Sequence, residues 1–321
     1  MKLWRRPWLV VPTTLGLVLG LSGAAFAAFS ATTSNTGNRF IAAPDWEPPH
    51  VTRTIVSKTA PYVGGKIHQG GQFYVFAQID DGGNPPAGVG AVTADVSAFS
   101  GAGTAVALAA GAFTAQGVPY NFRSAALTAT NPLAAGTRTY SIKMTDVAPT
   151  PNSQTQGGFI VVIDNTAPAP VDMTSANKVG GTKGLAEQDD IITYTFSEPM
   201  DPESLVPGWD GGSPTTVQVR IQNAGPRDRL VVRTNAGVTL NFGTVFLQQN
   251  YVVGSRNFSN SPITMIGNQV TIVLGVEAGT SRLVTVASPT TWRGSAGAYD
   301  AAGNACSTIT ITGTGSPRID F

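Results

Sequence analysis

Few side chains in this chain are equipped for chemistry. There are two histidines, His50 and His68, and a single cysteine, Cys306. Catalytic zinc asks for a His-rich ligand set, usually carried on an H-E-x-x-H helix, and neither histidine lies in one. A Ser-His-Asp triad needs a positioned imidazole and a nucleophile elbow, and no G-x-S-x-G occurs. Carboxylates are more numerous. Glu187, Asp189, Asp190, Glu198, Asp201 and Glu203 crowd one stretch, but glycoside hydrolysis requires two acids across a cleft, and these fall at strand ends and turns with no aromatic groove around them. Their reading as solvated turn acids is the simpler one, and no enzyme activity is expected. Asp80, Asp81 and Asp300 add hard oxygens in flexible loops, of the kind calcium takes in sets of about six to eight. The candidate calcium ligands are Asp164, Glu187, Asp189 and Asp190, although no EF-hand or nonapeptide loop occurs; no other cofactor is indicated. Trp46, in Pro44-Asp45-Trp46-Glu47-Pro48, is the tryptophan expected to be exposed and is the candidate contact residue, whereas Trp209 and Trp292 read as core or rim. Cys306 reads as a small buried hydrophobe beside a strand over 307–312, with an intermolecular disulfide as the alternative.

The elements that would position these groups are strands. Phe73, Val75, Ala77 and Ile79 alternate with Tyr74, Phe76 and Gln78, and Tyr140, Ile142 and Met144 alternate with threonine, serine and lysine. Further strands are expected over 52–57, 89–97, 104–109, 120–128 and 158–164, then 190–196, 216–221, 230–233, 244–247, 269–274, 283–287 and 307–312. Turn clusters such as Asp80-Asp81-Gly82-Gly83-Asn84-Pro85-Pro86 separate them. With 37 glycines and 22 prolines in 321 residues, the chain is rich in turns but below the level that marks low-complexity disorder. Charged residues are 12% and net charge is +1, too little charge for a nucleic-acid binder, so no nucleic-acid partner is expected.

The N-terminus has the three-part layout of a secretory signal: Lys2, Arg5 and Arg6, an apolar run from Leu9 to Leu21, then small residues through Ala28. Pro12, Thr13, Thr14 and several glycines break that run short of a comfortable membrane span, so cleavage is expected and a membrane link would exist only through an uncleaved segment. The stretch Ala27-Ala28-Phe29-Ser30-Ala31-Thr32-Thr33 resembles precursors processed by the SipW-type signal peptidase, the TasA and camelysin class. The resemblance concerns processing. It implies a cleavage site at Ala27, Ala28 and Phe29 and a secreted or cell-surface location. Residues 29–50, without periodicity, read as a flexible linker.

Two modules follow. Val161-Val162-Ile163-Asp164-Asn165-Thr166-Ala167-Pro168 resembles the last strand and exit linker of bacterial Ig-like repeats, and an apolar run ending in Asp-Asn and proline must leave a sheet. Ser197-Glu198-Pro199-Met200-Asp201-Pro202 resembles an F-S-E-P-M-D-P motif of such domains, with Asp201 placed to cap a short helical turn over 202–205. Asp300-Ala301-Ala302-Gly303-Asn304 resembles their D-x-A-G-N turn, which Asp146-Val147-Ala148-Pro149 keeps only in part. The expected fold is therefore all-β, two Ig-like antiparallel β-sandwiches in tandem over 51–166 and 167–321, after the signal helix and the linker. Calcium between such modules would stiffen the hinge.

What the resemblance implies is a non-enzymatic structural or adhesive protein of the cell surface or extracellular matrix, with self-association, a cell-envelope or matrix protein, or a polysaccharide as partner. Strand donation by residues 29–41 is one route to a fibre. The alternative is a polysaccharide-binding module that serves a partner enzyme.

Overall fold

A computed structural model describes residues 45–58, 64–316 and 318–321. The expected signal helix, the cleavage site at Ala27, Ala28 and Phe29, and the linker up to residue 44 lie outside them.

The described chain is nearly all β and makes two sheets, one after the other. The first contains β1 (His50–Ser57), β2 (Lys66–Ile67), β3 (Gln72–Asp80), β4 (Val89–Asp95), β5 (Val106–Ala115), β6 (Val118–Ser124), β7 (Leu127–Thr128), β8 (Gly136–Asp146) and β9 (Ser153–Ile163). Its strands follow the order β1-β3-β6-β5-β4-β8-β9-β2, with β7 beside β3. Pairing is antiparallel except for β2, which runs parallel to the end of β9. Period-two alternation builds the core. Phe73, Val75, Ala77 and Ile79 from β3 meet Tyr140, Ile142 and Met144 from β8, and Phe99 packs against Phe73 with ring centroids 5.4 Å apart. The other face of β3 is not simply wet, as alternation alone would suggest. Phe76 is buried there with Ala115 and Tyr120, and the Arg123 guanidinium lies 4.7 Å from the Tyr74 ring centroid and 4.4 Å from that of Phe113.

The second sheet contains β10 (Pro170–Ala176), β11 (Ile191–Phe196), β12 (Thr215–Gln222), β13 (Arg229–Arg233), β14 (Thr244–Phe246), β15 (Arg256–Ile266), β16 (Gln269–Val273), β17 (Val276–Ala278), β18 (Thr291–Arg293) and β19 (Thr310–Thr312), with one helical turn, α1 (Pro202–Leu205), after β11. The order is β10-β11-β16-β15-β12-β13-β14-β18-β19, with β17 beside β15. Trp292 centres its core, with Tyr194 and Phe196 edge-on at 5.1 Å and its indole N–H donating to the Phe242 carbonyl at 2.8 Å.

The two orders are the same pattern. Matching β1, β3, β6, β5, β4, β8 and β9 to β10, β11, β16, β15, β12, β18 and β19 leaves β2 as an addition at one edge of the first sheet and the β13–β14 hairpin as an insertion between β12 and β18 of the second.

Several expected elements shift. The stretch 283–287 is not a strand: Val284 alone points inward, and Leu283 and Val286 are exposed. The long β15 was hidden by its composition, Arg-Asn-Phe-Ser-Asn-Ser-Pro, which reads as a turn. A bulge around Asn260, at φ 54, absorbs the polar residues, and the register against β12 jumps between Val217 and Val219. The end of the expected linker is also ordered. Asp45 is buried, its carboxylate accepts the amides of Glu47 (3.0 Å) and Ala87 (2.9 Å), and its carbonyl accepts the Asn152 amide at 3.0 Å.

Candidate functional site: the junction of the two domains

The connection between Ile163 and Pro170 brings the end of the first domain carrying Lys58, Lys66 and His68 against the end of the second carrying Asp201, Tyr299 and Asp300. Lys58 leaves β1 and enters the second domain. Its ammonium lies 2.6 Å from Asp201 Oδ2, donates to the Asp300 carbonyl at 2.7 Å, and stands 4.3 Å from the Tyr299 ring centroid. Both charged side chains are buried, the lysine at 8% and the aspartate at 0% exposure. Burial pulls the Lys58 pKa below 10.5, and the hydrogen bond and charge of Asp201, with Asp300 and Glu203 farther out, act against that pull. Asp201 is held from its own side as the cap of α1, accepting the Glu203 amide at 3.1 Å, as the Asp-Pro sequence predicts.

Beside this pin lies a carboxylate cluster. Asp164, Glu198 and Asp300 each offer an oxygen, and the three oxygens lie within 4.8 Å of one another. A turn positions Asp300: its carboxylate accepts the Asn304 backbone amide (2.7 Å) and side-chain amide (2.8 Å), and the same Asn304 side chain donates to the Asp164 carbonyl at 2.8 Å. Asn304 therefore ties the interdomain connection to the last hairpin of the second domain. Gly303, at φ 95, makes the turn possible. Glu198 follows β11, where Ser197 and Ala169 exchange two hydrogen bonds of 2.9 Å. Glu198 Oε1 is buried without a hydrogen-bond partner. Burial, then the charges of Asp164 and Asp300, hold the Glu198 pKa above 4.5, and Lys66 opposes them. Lys66 Nζ is 3.1 Å from Asp164 Oδ2, so one cation already sits at the edge of the cluster. Three hard carboxylate oxygens, one of them from Glu198 with its orphaned Oε1, suit calcium, with water and carbonyls needed to complete about six to eight ligands.

The expected calcium ligands are not brought together. Asp164 is in the cluster, but Glu187, Asp189 and Asp190 lie at the opposite end of β11, a six-residue strand about 20 Å long. There the Asp190 carboxylate is fully buried and accepts the amides of Lys178 (2.9 Å) and Glu187 (2.7 Å), which makes it a brace for its own loop. Asp189 is exposed at φ 72. Asp80 and Asp81 lie at the far end of the first domain, where Asp81 accepts the Gly88 amide. Trp46 is 71% exposed, and Trp209 and Trp292 are buried. Cys306 is buried, and burial pushes its thiol up to about 11, which leaves little thiolate at neutral pH. His68 stays in its loop, its Nδ1 2.9 Å from the Gln69 carbonyl.

Two surface depressions lie elsewhere on the described residues. One, of about 480 Å³, is lined by alternating small and polar residues of β4 and β8, including Thr93, Asp95, Ser141 and Lys143; the other, of about 360 Å³, lies between Asn241, Thr244, Arg293 and Thr308. Neither is lined by a histidine or by an aromatic side chain.

Sequence reasoning missed Lys58 altogether. A lone lysine after a strand carries no signal, and its carbonyl acceptor is 242 positions away. Glu198 stood among the acids weighed for catalysis, and its neighbourhood with Asp164 depends on the chain crossing between domains. In comparisons with known proteins, no family model and no curated sequence matches this chain.

Proposed function

We propose that the chain is an exported, non-enzymatic structural or adhesive component of the cell surface or extracellular matrix, with its two β domains fixed end to end as one stiff spacer. The observation that carries this reading is the buried Lys58–Asp201 pair across the junction. A buried pair is a poor source of net stability, because desolvation offsets its attraction, but breaking it is costly. It therefore suits a role in fixing geometry better than one in chemistry. The sequence before Phe29 supplies the export argument.

The test is fractionation of cells expressing the chain, with the N-terminus of the recovered protein read by mass spectrometry. The expected result is a chain beginning at Ala28 or Phe29 in the medium or on the cell surface. Full-length chain confined to the cytoplasm would sink the reading. The exposed indole of Trp46 favours the polysaccharide-binding alternative, since exposed tryptophans stack on sugar rings. Glycan retention lost in Trp46→Ala would select that alternative.

A further inference from the structure

We propose that copies of this chain associate head to tail, with the loop Lys178–Lys183 at the free end of one copy's second domain seated on the Asp45–Asp146 end of the next copy's first domain. The proposal deepens the structural reading above and rests on it.

The two domains repeat one construction at their leading ends. In the first, the Asp146 carboxylate accepts the Asn152 backbone amide (2.9 Å) and side-chain amide (2.7 Å), and Asn152 also donates to the Asp45 carbonyl at 3.0 Å. In the second, Asp300, Asn304 and Asp164 make the same three bonds. Asp45 accepts the amide two residues on, from Glu47, as Asp164 does from Thr166. Asp45 is thus to the first domain what Asp164 is to the second.

The trailing ends repeat as well. β1 runs into Lys58, and Val63-Gly64-Gly65-Lys66 follows in the sequence; β10 runs into Asn177 and then Lys178-Val179-Gly180-Gly181-Thr182-Lys183. Within the chain, the trailing end of the first domain is already docked on the leading end of the second, through Lys58 with Asp201 and Asp300 and through Lys66 with Asp164. This leaves one leading end and one trailing end that the intrachain junction does not use.

Their surfaces are complementary. The leading end presents Trp46 at 71% and Val147 at 62% exposure beside the exposed acids Glu47 and Asp80 and the half-buried Asp81, while Asp45 and Asp146 are buried beneath them. The trailing end presents Val179, at 104% exposure, between Lys178 and Lys183; Lys178 is 4.0 Å from Glu187 and Asp189 is exposed at the same end, so Lys183 is the cation left to meet a partner. A fully exposed valine at a loop tip beside Lys183 matches an apolar spot flanked by the Glu47 and Asp80 carboxylates. The match is looser than the intrachain one. Asp45 Oδ2 is taken by the Ala87 amide, so Glu47 and Asp80 are the acids left to meet lysine, and the loop after β3 has no residue in the place of Asp201. Association is therefore weaker than the junction and concentration-dependent. A heterologous contact of this kind extends into filaments unless its rotation happens to close a ring.

Sedimentation of the full chain over a range of concentrations tests the contact. Wild type is expected to show mass rising with concentration, less so in high salt. Lys183→Glu alone and Glu47→Lys alone should each weaken association by about tenfold or more, because each places like charges face to face. An equal mixture of the two should recover it, since every contact between unlike chains again pairs opposite charges. Wild type that stays monomeric, single variants that associate like wild type, or a mixture that fails to recover would each overturn the proposal. A monomer that begins to associate when residues 1–44 are removed would assign the leading end to that segment instead, and also overturn it. Localisation is read on separate samples, so a chain that is exported but monomeric fails here alone.

Discussion

Glu198 shows how a side chain that looks ordinary in sequence acquires its character from neighbours brought in by the fold. Its Oε1 has lost water and gained no donor, and Asp164 and Asp300 add repulsion. A carboxylate whose folded pKa is raised above 4.5 binds its proton more tightly in the folded state, so its ionised form costs stability above that folded value, and the cost is relieved as pH falls toward 4.5. In chelator, wild type should therefore gain stability relative to Glu198→Gln as pH falls from 7 toward 4.5, read as a rise in its denaturation midpoint. Millimolar calcium at neutral pH should raise the wild-type melting temperature, and Glu198→Gln should lose that increment. A melting temperature indifferent to calcium in the wild type would remove the cluster from consideration as a cation site.

At the scale of elements, the last hairpin of each domain is organised by an aspartate that takes two bonds from one asparagine, and this turn also fastens the incoming chain. Asn304 can do so because Gly303 adopts φ 95, where a side chain is strained. A Cβ at Gly303 would also lie 3.3 Å from His68 Cδ2, across the junction. Gly303→Ala should cost about 1–3 kcal/mol, read as a lower denaturation midpoint. No change in midpoint would show that the turn and its neighbour on His68 yield without cost.

At the scale of the molecule, the question is whether two β domains behave as one body. Lys58→Met removes the ammonium and leaves Asp201 buried beside a thioether, a loss of about 3–5 kcal/mol for an uncompensated buried charge. Calorimetry should then resolve two transitions where wild type gives one. Adding Asp201→Asn to Lys58→Met should recover part of the loss, because the pair, rather than either residue, is the coupled unit. Two transitions already present in the wild type would show that the pin does not couple the domains.

Much of the fold was legible. Clean alternation in β3, β8 and β11 announced inward faces that do pack in the two cores, and the Asp201-Pro202 pair announced the capped turn of α1. These signals are local: side chains on a strand alternate with period two, and a cap lies within three residues of the amide it serves. β15 was not legible, because its polar residues and proline are accommodated by a bulge and by partners on both sides. The candidate site was half legible. Asp164 and the Asp300 turn were readable as acids in loops, but their grouping with Glu198, and the separation of all three from Glu187, Asp189 and Asp190, follow from which end of β11 each occupies. By itself the sequence determined the all-β class, the strand periodicity and the capped turn, since each depends on neighbours a few positions apart. Tertiary structure alone decided that Lys58 crosses into the second domain, which carboxylates meet there, and that in both domains the turn asparagine fastens the incoming chain, because those depend on contacts between residues far apart in the sequence, as in the 242, 140 and 107 positions that separate Lys58 from Asp300, Asp164 from Asn304 and Asp45 from Asn152.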